Sequence, residues 1–155
     1  RAIIALPRAV ADGHDHAARR EMMVAAMEGA LAFQKGLGAV HALSHPLGGY
    51  RDLKLHHGML NAIMLPPVLR FNAPACAATY PKLRRAIGLA PDADLAAFFD
   101  HFTSSLGLPT KLSALGVPRD ILPEVAKAAT LDHTHGTNAR KATEADYLAM
   151  LEEVW

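Results

Sequence analysis

Four of the nine histidines fall within a single stretch of eighteen residues, HALSHPLGGYRDLKLHHG, from His41 to Gly58. His41 and His45 are four positions apart. On a helix this places both side chains on one face, one turn from each other. His56 and His57 follow a short loop and open the next apolar segment, so a helix–loop–helix can fold His57 back toward His41. Neutral imidazole is a good ligand for iron, zinc, nickel and copper. Two or three histidines alone make an incomplete site, usually completed by a carboxylate to give an Fe(II) or zinc centre with open positions. The competing reading is that these are helix-terminal or core histidines satisfied by backbone groups. That reading suits a lone histidine better than four grouped around HPLGG.

No other motif competes for the chemistry. The chain has no GxGxxG, Walker loop, GxSxG or CxxC. The glycines of GLGAVHALSHPLGG follow a helical pattern instead of a strand, which weakens a phosphate-binding reading. Met22, Met23 and Met27 recur at helical spacing and are expected in the core. The single cysteine, Cys76 in APACAATY, reads as a small buried hydrophobe. One cysteine excludes an internal disulfide and fits a reducing, cytoplasmic compartment.

Composition sets the remaining bounds. Of the 155 residues, 51% are hydrophobic and 20% charged, with a formal net charge of +1. That balance gives no electrostatic case for nucleic acid as a partner. No run of about 18 apolar residues is present, so no membrane span is expected. The N-terminal RAIIALPRAVADG is too short and too broken for a signal peptide. The chain begins at Arg1 in what reads as the middle of a helix, and is expected to be a piece of a longer protein.

The elements that must position the histidines read as all-α, a bundle of roughly six to eight helices without a sheet. A first helix covers about residues 1–10, followed by a break at DGHD with an aspartate N-cap option. The next segment is either one long helix to about Ser44 or is broken at Gly36 and Gly38. Pro46 and Gly48-Gly49 end it. YRDLKL is a loop, and HHGMLNAIMLPPVLRFN is a buried helix that Pro66-Pro67 kinks or ends. Further helices are expected around residues 76–87, after Asp92 or Asp94, and over about residues 121–130. HTHGTNAR is a polar loop before a last helix capped by Thr143. No internal domain boundary is visible, so residues 1–155 are taken as one helical domain.

Three motifs, GLGAVHALSHPLGG, HHGMLNAIMLPPVLRFN and LDHTHGTNAR, resemble the C-terminal helical domain of the iron-containing alcohol dehydrogenase family, of dehydroquinate synthase-like fold. The resemblance runs through most of the chain. It implies a two-domain enzyme with an N-terminal α/β domain for NAD or NADP and a helical domain carrying Fe(II), sometimes zinc, in the cleft. The metal would be held by one Asp and three His. His41 and His57 match two of these ligands. His45 matches a nearby active-site histidine and is the candidate catalytic residue. Asp132 matches a loop that approaches cofactor and substrate and is the candidate cofactor-binding residue. The family often has Pro where this chain has Ala139.

The other two ligands form an Asp-x-x-x-His pair, expected upstream of Arg1; Asp12 and His16 reproduce the spacing by chance. The implied partners are small alcohol, aldehyde or ketone substrates, with short alcohols, lactaldehyde, hydroxybutyrate and maleylacetate-like acids all within the group's range. A homo-oligomer, for instance a dimer, is the expected assembly. The alternatives are a helical interaction module with structural histidines, or a standalone metal-binding protein drawing on His14 or His16.

Overall fold

A computed structural model describes all residues, Arg1–Trp155. It contains helices and turns and no β-strand, as the absence of strand patterning predicts. The helices are α1 (Ala2–Ala11), α2 (His16–Ala32), α3 (Gly38–Gly48), α4 (His57–Asn72), α5 (Tyr80–Ala86), α6 (Leu95–Ser105), α7 (Leu122–Leu131) and α8 (Glu144–Glu153). They form two compact units, Arg1–Gly36 and Leu37–Trp155.

In the first unit α1 packs on α2. Asp15 caps α2 by accepting from the Ala18 N–H and also pairs with Arg8. Arg1 pairs with Glu21 and Glu28 across the two helices. The methionines depart from expectation. Met23 is 75% and Met27 58% exposed, and only Met22 is half-buried. Within this unit α2 buries only Ala18 fully, so helical spacing marks an apolar face here but not a core.

Of the two expectations for the α2–α3 segment, the break is observed. A single 3-10 turn, Phe33–Lys35, leads to Gly36 at φ 104° and Gly38 at φ 66°. Both lie in the left-handed region that side chains with a Cβ disfavour.

The second unit holds the main core. Its buried residues follow one rule in every long helix: Ala39, Ala42, Leu43 and Leu47 on α3; Leu60, Ile63, Met64 and Val68 on α4; Leu122, Val125, Ala126 and Ala129 on α7. Each set joins one adjacent pair to residues three or four positions away on either side, which lines one helical face. Tyr147, Met150, Leu151 and Val154 continue the pattern at α8. α3 packs on α4 and α7, α4 on α6 and α8, and α7 on α8. His41 and His45 fall outside this buried stripe of α3 and are half-buried, so their side chains are both held and reachable.

Three local expectations need correction. Pro46 sits inside α3, which ends only at the glycines. Of the two expectations for Pro66-Pro67, an end to the helix is not observed: both prolines are buried inside the sixteen-residue α4. Their missing N–H groups leave carbonyls one turn earlier without helical donors, and burial of the surrounding apolar side chains outweighs that loss. The segment around Cys76 is a 3-10 turn with a half-buried thiol, and α5 starts only at Tyr80. The caps are observed as read: Asp94, one of the two candidates, caps α6, and Thr143 closes a capping box with Asp146 on α8.

The N-terminus of α3 lacks a local cap. Its Gly38 N–H donates to Thr137 Oγ1 at 3.1 Å and its Ala39 N–H to Asn138 Oδ1 at 3.1 Å. A loop 99 residues away in sequence thus satisfies donors that the helix start leaves open. A Cβ on Gly38 would lie 3.0 Å from Asn138 Oδ1, at a backbone φ already left-handed. Gly38→Ala should therefore destabilise the protein by about 1–3 kcal/mol. Urea unfolding tests this, and an unchanged midpoint would mean the loop yields freely.

Candidate metal centre

α3 and α4 bring the predicted histidines together. The His41 and His57 rings have centroids 5.2 Å apart, and His45 lies 5.5 Å from His41 and 5.7 Å from His57. The Nε2 atoms of His41 and His57 converge on a single group, the Asn61 Nδ2 amide, which donates to them at 3.3 and 3.0 Å. Both Nε2 atoms therefore present lone pairs toward one point. Burial holds the His41 imidazole below its ordinary pKa, helped by repulsion from His57 and His45 and opposed by a hydrogen bond to the Leu37 backbone. Its neutral form, the one that can ligate a metal, is favoured.

His45 faces the same cluster but is held differently. Its Nδ1 lies 2.9 Å from Asp132 Oδ2, at the C-terminal end of α7. The other carboxylate oxygen, Oδ1, accepts from the Thr134 N–H at 2.8 Å and the Thr134 hydroxyl at 2.6 Å. Burial pushes the Asp132 carboxyl up, but the Thr134 and His45 hydrogen bonds together hold it below the usual carboxylate range. An ionised carboxylate only accepts, so the His45 Nδ1–H donates to it. The His133 ring also stacks with His45, at 5.5 Å. The His45 ring is thus near-parallel to both His57 and His133, with interplanar angles of 15° and 13°.

His45, Asp132 and His133 also place possible ligand atoms within 4.8 Å of one another. Because hydrogen bonds already engage both Asp132 oxygens, that trio is a hydrogen-bonded support first. The better fit for a transition metal is the His41–His57 pair: two nitrogen donors aimed at one point, with the Asn61 Oδ1 beside them buried and without a partner. Two imidazoles suit Fe(II) or zinc as part of a donor set. His56 is exposed and outside this convergence; His14 and His16 are exposed residues of the first unit.

Asn61, Thr134 and Asn138 take part although sequence reasoning did not single them out. Asn61 follows His57 by one helical turn in HGMLN, a spacing that was there to be used. Asn138 also exchanges amide hydrogen bonds with Asn72 at 2.8 and 3.0 Å, tying the loop to the end of α4. Arg140 secures the same end, donating to the Phe71 carbonyl at 3.0 Å with its guanidinium 4.2 Å from the Phe71 ring centroid.

The all-helical second unit thus brings a histidine pair together between α3 and α4, with a polar loop packed against the start of α3. The Fe-containing alcohol dehydrogenase family, C-terminal, matches residues 2–155, and the chain belongs to that family. The 4-hydroxybutyrate dehydrogenase of Cupriavidus necator is 50% identical over 155 residues, covering 96% of this chain and 41% of the relative. The lactaldehyde reductase of Escherichia coli K12 is 33% identical over 151 residues, covering 91% of this chain and 39% of the reductase. Among solved structures, a 1,3-propanediol oxidoreductase superposes with a TM-score of 0.90 at 32% identity, over 99% of this chain and 42% of that one. The alcohol dehydrogenase of Oenococcus oeni gives 0.89 at 29% identity, over 99% of this chain and 42% of the other. This chain therefore spans less than half the length of these relatives.

Proposed function

We propose that residues 1–155 serve as the helical C-terminal domain of a metal-dependent, NAD(P)-linked alcohol dehydrogenase, with the nucleotide-binding domain and an Asp-x-x-x-His ligand pair elsewhere in the parent protein. The observation that carries this reading is the convergence of the His41 and His57 Nε2 atoms on one point. These two residues would hold Fe(II), or zinc, as half of its protein ligands. The bound metal supplies Lewis acidity toward an alcohol or carbonyl oxygen, and the nicotinamide, NAD or NADP, supplies hydride transfer. His45, with its Nδ1–H given to Asp132, has Nε2 available to take the hydroxyl proton and pass it to solvent. The loop that starts at Asp132 is the proposed approach for cofactor and substrate, with Asp132 itself behind His45.

The substrate class is a small alcohol and its aldehyde or ketone, and the similarity to the Cupriavidus enzyme favours an ω-hydroxy acid within it. A cytoplasmic homo-oligomer, such as a dimer, completes the proposal. No helix is long and apolar enough to cross a membrane.

The test is metal content and NAD(P)-linked turnover of the parent on 4-hydroxybutyrate, 1-propanol, 1,3-propanediol and lactaldehyde, with added Fe(II) or zinc. The parent should bind metal and turn over at least one substrate. The 155-residue chain alone should do neither well, because two imidazoles leave an ion largely hydrated and no nucleotide site accompanies them. Turnover by the isolated chain, or a parent inactive with every metal and substrate, would overturn the proposal.

A further inference from the structure

We propose that Asp132 is a positioning residue that fixes the ring orientation and the tautomer of His45. The proposal rests on the functional reading above, since it assigns Asp132 its effect on turnover through His45.

The geometry is specific at both ends of the carboxylate. Oδ2 receives the His45 Nδ1–H at 2.9 Å, while Oδ1 is fixed by the Thr134 N–H and hydroxyl at 2.8 and 2.6 Å. The Thr134 N–H belongs to the backbone and cannot turn away, so Oδ1 is held and Oδ2 is left to meet the imidazole. The Asp132 side chain is only 12% exposed against 32% for His45, so water competes weakly for the pair. The Thr134 residue supplying both donors is itself buried.

Rings also surround His45. His57 stacks on it at 5.7 Å and His133 at 5.5 Å, while His41 meets it edge-on at 5.5 Å. Stacking restrains ring tilt but does not choose between the two orientations related by a half-turn about the Cβ–Cγ bond. The hydrogen bond from Nδ1 makes that choice and places the proton on Nδ1, so Nε2 is the lone-pair nitrogen. Carboxylate partners fix the tautomer and ring orientation of metal-ligating histidines in this way, and losing one there typically costs about 10–100-fold in activity or metal affinity.

The loop is anchored for the task. Thr137 and Asn138, a few residues after Asp132, cap the first turn of α3, the helix that carries His45. One loop thus grips α3 at its start and again two turns later at His45.

Asp132→Asn is the informative substitution, because an amide cannot satisfy both ends. With its oxygen toward the two Thr134 donors, its NH2 faces His45 Nδ1, which must then accept, and the His45 proton moves to Nε2. The experiment uses the zinc-loaded parent with histidine labelled in nitrogen-15. Wild type should show His45 as the Nδ1–H tautomer and Asp132→Asn as the Nε2–H tautomer. In the same variant kcat should fall by about tenfold or more, with the alcohol KM, metal content and nicotinamide Kd near wild-type values.

A wild-type His45 protonated on Nε2 overturns the proposal, and this measurement does not depend on the variant folding. So does a variant kcat within twofold of wild type. Metal loss in step with activity would assign Asp132 to the metal, and a raised nicotinamide Kd at unchanged kcat would assign it to the cofactor; either result overturns the positioning role. A wild-type parent without turnover on any substrate refutes the functional reading instead, and the two tautomer measurements then decide the role of Asp132 alone.

Discussion

Replacing His41 or His57 by alanine in the parent protein should lower NAD(P)-linked alcohol turnover by roughly a thousandfold or more. A metal acting on a substrate oxygen contributes several kcal/mol to the barrier, and each 1.36 kcal/mol is a factor of ten. Each substitution removes one of the two nitrogens that converge beside Asn61, so one donor remains on this chain. Metal content should fall in parallel, because an ion with one ligand fewer exchanges with water more readily. Nicotinamide binding should persist, since the nucleotide domain is proposed to lie elsewhere in the parent. Turnover within tenfold of wild type, or full metal content with turnover lost, would show that His41 and His57 do not hold the ion.

The largest loss of stability is expected at Leu43. It lies between His41 and His45 on α3, is fully buried, and belongs to the core shared by α3, α4 and α7. Leu43→Ala removes buried methyl groups and leaves a cavity, together costing about 2–5 kcal/mol. Small domains hold only about 5–15 kcal/mol in total, so the variant should unfold at much lower urea with an unchanged slope. A loss below about 1 kcal/mol would mean that the helices close over the space. The same cavity lies on the opposite side of α3 from the histidine row, so turnover lost on warming should track unfolding.

What was readable from residue order follows the range over which each determinant acts. The helices of the second unit were legible because their buried positions step by three and four, and the caps at Asp94 and Thr143 are local chemistry. The helix end that Pro66 and Pro67 allowed is not realised, because a local rule, the missing N–H, lost to packing supplied by distant segments. The methionine face of α2 shows the converse: spacing reveals that a face is apolar, not what covers it.

The site divides in the same way. His41, His45 and His57 were legible from spacing, since one helix turn and one short loop bring them together. The partner that orients His45 lies 87 residues away, and no spacing points to it. Asp132 stood out only through the family resemblance, and its engagement with both His45 and Thr134 is a tertiary fact. Thr137 and Asn138 read simply as a polar loop, because nothing local reveals that the α3 start lacks a cap of its own.

That distant cap has a consequence for the order of assembly. The His41–Asn61 contact closes a loop of 20 residues, whereas His45–Asp132 closes one of 87. The longer closure costs about 1 kcal/mol more in chain entropy. It also requires synthesis to have reached Asp132. On the ribosome the paired imidazoles can emerge and meet while the carboxylate that orders His45 is still untranslated. Assembly is then expected in two stages, an early one that pairs the His41 and His57 imidazoles and a late one that brings Asp132 to His45.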